Sequence, residues 1–298
     1  MTTFAALYVP GPLREAVSDE AWLRAMLDAE RALGPDEDIF DPAEYDIEAL
    51  CEEGQADASP VVPLARALRE REPDAHGPAT SQDILDTAAM LVSSRARELI
   101  LADLEGLCAA CAGLAETHRS TPMIARTLLQ EARPTTFGLK AAGWLVGLVD
   151  ARRRLAAVVL PAQLGGPAGT LDPALTARFA TTVGLPEPVV PWHVHRGPVR
   201  ELAGALDGAA AECGKVGLDV VLLGGEYEHE RAAGAWQAEW PALSAALAFT
   251  GGAAAAARRS LEGLQVDAER MGENVAGDET GAAEALVDRA LAHYREQS

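Results

Sequence analysis

Between Ser81 and Glu116 the chain runs for 36 residues without a proline, while Ile84, Leu85, Ala88, Leu91, Val92, Leu99, Leu104, Leu107, Cys111 and Leu114 recur at spacings near three and four. Such spacing stacks side chains on one face of an α-helix, so the segment predicts a single long amphipathic helix. At 1.5 Å per residue it extends roughly 50 Å, a length typical of an elongated bundle. Two further runs have the same character: Thr135 to Leu160, stopped by Pro161, and Val199 to Leu223, with Pro198 in its first turn. Gly138, Gly143 and Gly147 in the second run allow close helix approach. A fourth helix is expected from Glu226 to Gly263, interrupted near Pro241 and Gly251-Gly252, and a short one from Ala282 to Arg295.

Shorter helices are expected at Ser18 to Leu33, with Ser18 as N-cap and Asp19 and Glu20 in the first turn, and at Pro173 to Val183. Seven prolines break up the rest of the chain before Asp74. The reading is all-α: a small N-terminal region over 1–75, a central long-helix bundle over 76–264 and a shortened helical C-terminal piece over 265–298.

Charge narrows the partners. The 45 acidic residues against 25 basic ones leave a formal charge of −20, which disfavours nucleic acid and anionic lipid, so an anionic substrate needs locally clustered cations. No segment reaches the roughly 18 to 20 apolar residues of a membrane span, and the start lacks a signal-peptide pattern, so a cytoplasmic protein is expected. Cys51, Cys108, Cys111 and Cys213 are too sparse for a disulfide framework. The CxxC pair Cys108/Cys111 falls on one helix face with no second pair or histidine beside it, which reads as buried packing, not metal or redox chemistry. The glycines at 165, 166 and 169 follow a helix and make no dinucleotide fingerprint, so no cofactor is expected.

Chemistry is expected at the polar joints between the long helices: His76 to Asp83, His118 to Gln130 and Trp192 to Arg196. Each joint has a purely structural alternative, since Thr80 or Ser81 can cap a helix and His118 can bind a terminal carbonyl.

The joints also carry a resemblance. HGPATSQDILDT from His76, HRSTPMIARTLLQEARPTTFGLKAAGWL from His118, LPAQLGGPAGTL from Leu160, PWHVHR from Pro191 and EHERAAGAWQAEW from Glu228 occur in the order found in the fumarase/aspartase superfamily. Within it they are most similar to the bacterial 3-carboxy-cis,cis-muconate cycloisomerases. The resemblance covers most of the chain. It implies a homotetramer whose long helices form a shared bundle, with each active site assembled from three subunits. It further implies that Thr80 and Ser81 bind a substrate carboxylate, that Arg126, Thr127 and Gln130 form a second binding stretch, and that His76, His193 and Arg196 lie near the site.

A di- or tricarboxylate needs several hydroxyl, amide and guanidinium partners, which makes Lys140, Arg126 and Arg196 further binding candidates, and a proton donor or acceptor, for which His76 and His193 are the catalytic candidates.

Two departures from the family pattern stand out near these motifs. The residue after Arg126-Thr127 is Leu128, where the classical lyases of the superfamily carry histidine; this favours the cycloisomerases. Pro78 replaces a glycine. A larger departure follows the helix ending near Leu223, where the family's mobile loop, Gly-Ser-Ser-x-Met-Pro-x-Lys-x-Asn-Pro, carries the catalytic serine. This chain passes from Leu222-Leu223 through Gly224-Gly225 directly to Glu226-Tyr227-Glu228-His229. Three functions therefore compete: a cycloisomerase of aromatic-acid breakdown, a β-elimination lyase acting on a substituted succinate, and a catalytically silent binding or assembly scaffold.

Overall fold

The structure is a computed structural model that describes residues 6, 9–34, 39–127, 130–223, 235–262, 264–266, 268–273, 287–288 and 291. The chain divides into two compact units, Met1–Pro241 and Ala242–Ser298. The first is an elongated multi-helix bundle.

Four short helices, α1 (Gly11–Ala16), α2 (Asp19–Arg31), α3 (Ile47–Glu53) and α4 (Val61–Arg71), precede the longest element, α5 (Ser81–Thr117, 37 residues). Ser18 caps α2 by accepting the Ala21 N–H at 3.1 Å. α2 lies along the first part of α5, where Arg95 donates to Asp28 at 2.7 Å. At the other end of α5 the chain turns at His118 and forms an antiparallel hairpin of β1 (Pro122–Thr127) and β2 (Gln130–Thr136), bulged between Ile124 and Arg126.

α6 (Phe137–Ala157) then returns along α5. Phe137 N–H donates to Thr121 O and Gly138 N–H to His118 O, which pins the hairpin base to the end of α5. A Cβ on Gly138 would stand 2.6 Å from the His118 carbonyl oxygen, so glycine is required for that approach. Gly147 likewise makes room for Glu212, whereas Gly143 faces open space.

α7 (Pro173–Val183) occupies the expected span, and α8 (Gly197–Leu223) packs on α6. α9 (Ala235–Glu262) runs without a break through positions 241 and 251–252, where an interruption was expected. α10 (Ala268–Glu273) follows within the second unit. Leu128, the Gly224–His229 junction and nearly all of the expected helix over 282–295 lie outside the described residues.

The core of the first unit is continuous, with Trp192, Phe40, Phe179 and Met26 among its largest fully buried side chains. Cys108 and Cys111 are free and buried in it, and burial pushes both thiols upward from their ordinary range. Among the described residues no helix is long and apolar enough to cross a membrane. Apolar side chains nevertheless remain exposed along α6 and α8: Leu139, Val146, Val149, Leu218, Val220 and Leu222.

Candidate active site

One polar cluster is built on the N-terminus of α5. Asp83, wholly buried at the third position of the helix, is a carboxylate acceptor for four donors. Thr80 N–H donates to it at 3.0 Å, Gln163 Nε2 at 2.9 Å, Gly165 N–H at 3.0 Å and Gly166 N–H at 2.8 Å. The Thr80 bond caps α5, and the positive end of the helix dipole offsets the buried negative charge. Gly166 reaches Asp83 with φ of +64°, a left-handed conformation that glycine adopts at little cost. The segment after α6 is thereby tied to the α5 N-terminus.

Gln163 extends the network. Its Oε1 accepts the Trp192 N–H at 2.6 Å, its Nε2 lies 3.2 Å from His193 Nδ1, and its backbone N–H and C=O both bond the Thr87 hydroxyl. One turn into α5, Asp86 accepts a bidentate pair from Arg196 at 2.5 and 2.8 Å, while Gln82 bridges Asp86 and the His193 carbonyl. Asp86 pushes the Arg196 guanidinium upward, so its charge is permanent. The guanidinium also stacks over Trp192, 5.0 Å from the ring centroid. Thr80, Ser81, His193 and Arg196 are therefore brought to one joint.

His76 lies just before this joint but is turned inward. Its Nδ1 is 2.7 Å from Glu30 Oε1 on α2, both side chains are buried, and its φ is +69°. The second Glu30 oxygen is buried without a partner among the described residues.

A different group forms at the far end of the bundle. Arg126, Thr127 and Gln130 stand exposed on the hairpin, with Thr127 paired directly to Gln130. Arg126 shares a cavity of about 510 Å³ with Met123, Thr135, Lys140, Asp219 and Leu222. Asp219 is the charge centre there: Lys140 lies 3.1 Å away, Lys215 pairs with the same oxygen, and Trp144 Nε1 donates at 2.7 Å. Burial raises the Asp219 carboxyl, but the bonds from Lys215, Trp144 and Lys140 outweigh it and hold the group at about 2. These are the only two lysines in the chain. The cavity thus carries the Arg126 guanidinium and the Lys140 ammonium against the Asp219 carboxylate.

The two groups sit at opposite ends of α5, a helix roughly 55 Å long at 1.5 Å per residue. Within one chain, Thr80 and Ser81 are not brought together with Arg126, Thr127, Gln130 and Lys140. Gln163, Asp86, Asp219 and Glu30 were not singled out from the sequence. A lone carboxylate in the apolar run Gly217 to Leu223 was the available signal for Asp219. Among the described residues no cluster of three or more His, Cys, Asp or Glu is placed to hold a metal ion.

A family model described as "Lyase" matches residues 58–230. The chain is 38% identical to nitrosuccinate lyase of Streptomyces davaonensis, over 89% of this chain and 74% of that protein. It is 36% identical to 3-carboxy-cis,cis-muconate cycloisomerase of Bradyrhizobium diazoefficiens, over 88% and 76%. Among solved structures, the 3-carboxy-cis,cis-muconate lactonizing enzyme from Pseudomonas putida superposes with a TM-score of 0.68 at 32% identity, covering 74% of this chain and 58% of that one. The chain thus spans under three fifths of the solved relative. The alignment to the Streptomyces protein extends over 353 residues, more than the 298 of this chain, so that relative carries internal sequence with no counterpart here.

Proposed function

Because this chain belongs to the lyase family of the fumarase/aspartase superfamily, we propose that its site binds a small di- or tricarboxylate for addition–elimination chemistry, with cycloisomerisation of 3-carboxy-cis,cis-muconate as the reaction. The observation that carries this reading is the similarity to such a cycloisomerase along nearly the whole chain. The site's geometry supports it. Thr80 and Ser81 begin α5, where free backbone N–H groups and the helix dipole favour a carboxylate. Arg126 and Lys140 supply cationic partners for a second one.

Since these groups lie at opposite ends of α5, one substrate meets both only where copies of the chain pack end against end. The exposed apolar rows of α6 and α8 are the faces available for that packing. We take the assembly to be a homotetramer with shared sites. In the family the catalytic serine comes from the loop this sequence lacks, so binding is retained while turnover is low. Losing a group that acts in the transition state costs about 10²- to 10⁴-fold.

The test combines calorimetric titration with 3-carboxymuconate and a steady-state assay of diene absorbance, with a loop-containing relative as control. Saturable binding that is lost in Thr80→Ala/Ser81→Ala, with turnover at least about 10²-fold below the control, is the expected result. Absence of binding in the wild-type chain would overturn the reading. The similarity to nitrosuccinate lyase favours a second reading, β-elimination from a substituted succinate. Its signature is an alkene product with release of a leaving group, whereas cycloisomerisation gives a lactone and releases nothing.

A further inference from the structure

The Gln163 side chain sits between the Trp192 backbone, the Asp83 carboxylate and the His193 ring. Two of the groups around Gln163 have a fixed hydrogen-bonding polarity. The Trp192 backbone N–H can only donate, so the Gln163 atom 2.6 Å from it is the amide oxygen. The Asp83 carboxylate is an acceptor, so the Gln163 atom 2.9 Å from it is the amide nitrogen. The amide is therefore held in one orientation by two independent partners. One Nε2 proton goes to Asp83, and the remaining proton faces His193 Nδ1 at 3.2 Å. An N–H at Nδ1 would oppose that proton directly.

We propose that Gln163 is a positioning residue that holds His193 as the neutral Nε2–H tautomer, so that the ring offers a hydrogen-bond donor to the joint instead of a base. Nε2 has no bonded partner among the described residues, and the ring edge that carries it lies beside Gly169. A Cβ there would stand 3.2 Å from His193 Cε1. His193 enters the joint that holds Thr80, Ser81 and Arg196 as an N–H suited to a carboxylate or carbonyl oxygen. This assignment rests on the proposed polycarboxylate site for its use, but the tautomer follows from Asp83, Gln163 and Trp192 alone. Proton abstraction in the reaction then belongs to a different group.

The experiment is long-range ¹H–¹⁵N correlation on the full chain labelled with ¹⁵N-histidine. It is run about two units above the ordinary imidazole pKa of ~6.5, where the free ring is neutral and populates both tautomers. The His193 resonances are identified by their loss in His193→Gln. The expected wild-type pattern is one tautomer, with the proton wholly on Nε2. Gln163→Glu presents an acceptor to Nδ1, so the proton moves to Nδ1. Gln163→Leu presents neither donor nor acceptor, so the pattern becomes an average of the two forms. A purely structural Gln163 would leave the ring nitrogens unmoved. A proton on Nδ1 in the wild type overturns the assignment, and so does an unchanged single Nε2–H pattern in Gln163→Leu. The readout needs no ligand, so a chain that binds no carboxylate still reports its tautomer, and failure of the proposed function is told apart from failure of this inference.

Discussion

Removal of Asp83 is heavily penalised by the structure. Asp83→Ala strips the acceptor from four donors at once, with N–H groups of Thr80, Gly165 and Gly166 and the Gln163 amide all losing their partner. Three of those bonds are buried, and a buried donor left unsatisfied costs about 1–3 kcal/mol. Losing the cap on α5 adds about 1 kcal/mol. The expected loss is therefore about 4 kcal/mol or more, against a total stability of about 5–15 kcal/mol for a typical folded protein.

Asp83→Asn is not conservative here. Each carboxylate oxygen serves two donors, so whichever way the amide turns, its NH₂ faces a pair of N–H groups. The expected cost is about half that of the alanine variant. Urea unfolding followed by tryptophan fluorescence measures both, with fully buried Trp192 reporting from within the network. A midpoint shift at unchanged slope reads as stability. Asp83→Ala within about 1 kcal/mol of the wild type, or Asp83→Asn indistinguishable from it, would refute the reasoning.

Asp219, held at about 2 against an ordinary 3.8, contributes stability that is fully present above the ordinary value and is lost as pH falls from about 4 to about 2. Asp219→Asn should lack that acid-side slope in unfolding measured across this range, and an identical slope would remove Asp219 as its source. Gly138→Ala should destabilise by about 1–3 kcal/mol because its Cβ meets the His118, Arg119 and Ala115 backbone, whereas Gly106→Ala, with open space around it, should gain about 0.5–1 kcal/mol of helix propensity. Thermal melts of the pair decide this, and equal shifts would mean that the close approach of α6 to the end of α5 is not tight. If the proposed homotetramer forms through the exposed apolar stretch of α6, Val146→Asp should convert it to smaller species in light scattering, and an unchanged mass would exclude that face from the interface.

The long helices were legible because their physics is local. An apolar stripe and a proline-free run specify α5, and Pro173 with Gly184 brackets α7, where Gly184 takes φ of +72°. The hairpin was not legible: Pro122–Thr136 is mostly exposed and shows no alternation of apolar and polar residues, and its ladder follows from the closure of its base at Thr121 and Gly138. The unbroken α9 is another case where the local breaker signal at 251–252 was overridden. At the α5 joint, Thr80, Ser81, His193 and Arg196 are legible as candidates because they sit in short motifs. Gln163 and Asp86 could not, since each gains its meaning from a partner 80 or 110 residues away in sequence.

On the proposed function, the two groups of residues differ in what holds them in place. The joint at the start of α5 is assembled from α5, the segment 163–166 and the segment 192–196, and among the described residues the bonds that fix it lie within those elements. The Arg126 cavity uses Asp219, Leu222 and Leu223 from the last turns of α8. It therefore lies at the C-terminal end of α8. On the proposed function, carboxylate binding at the first joint is then expected to depend less on the last turns of α8 than binding in the Arg126 cavity does.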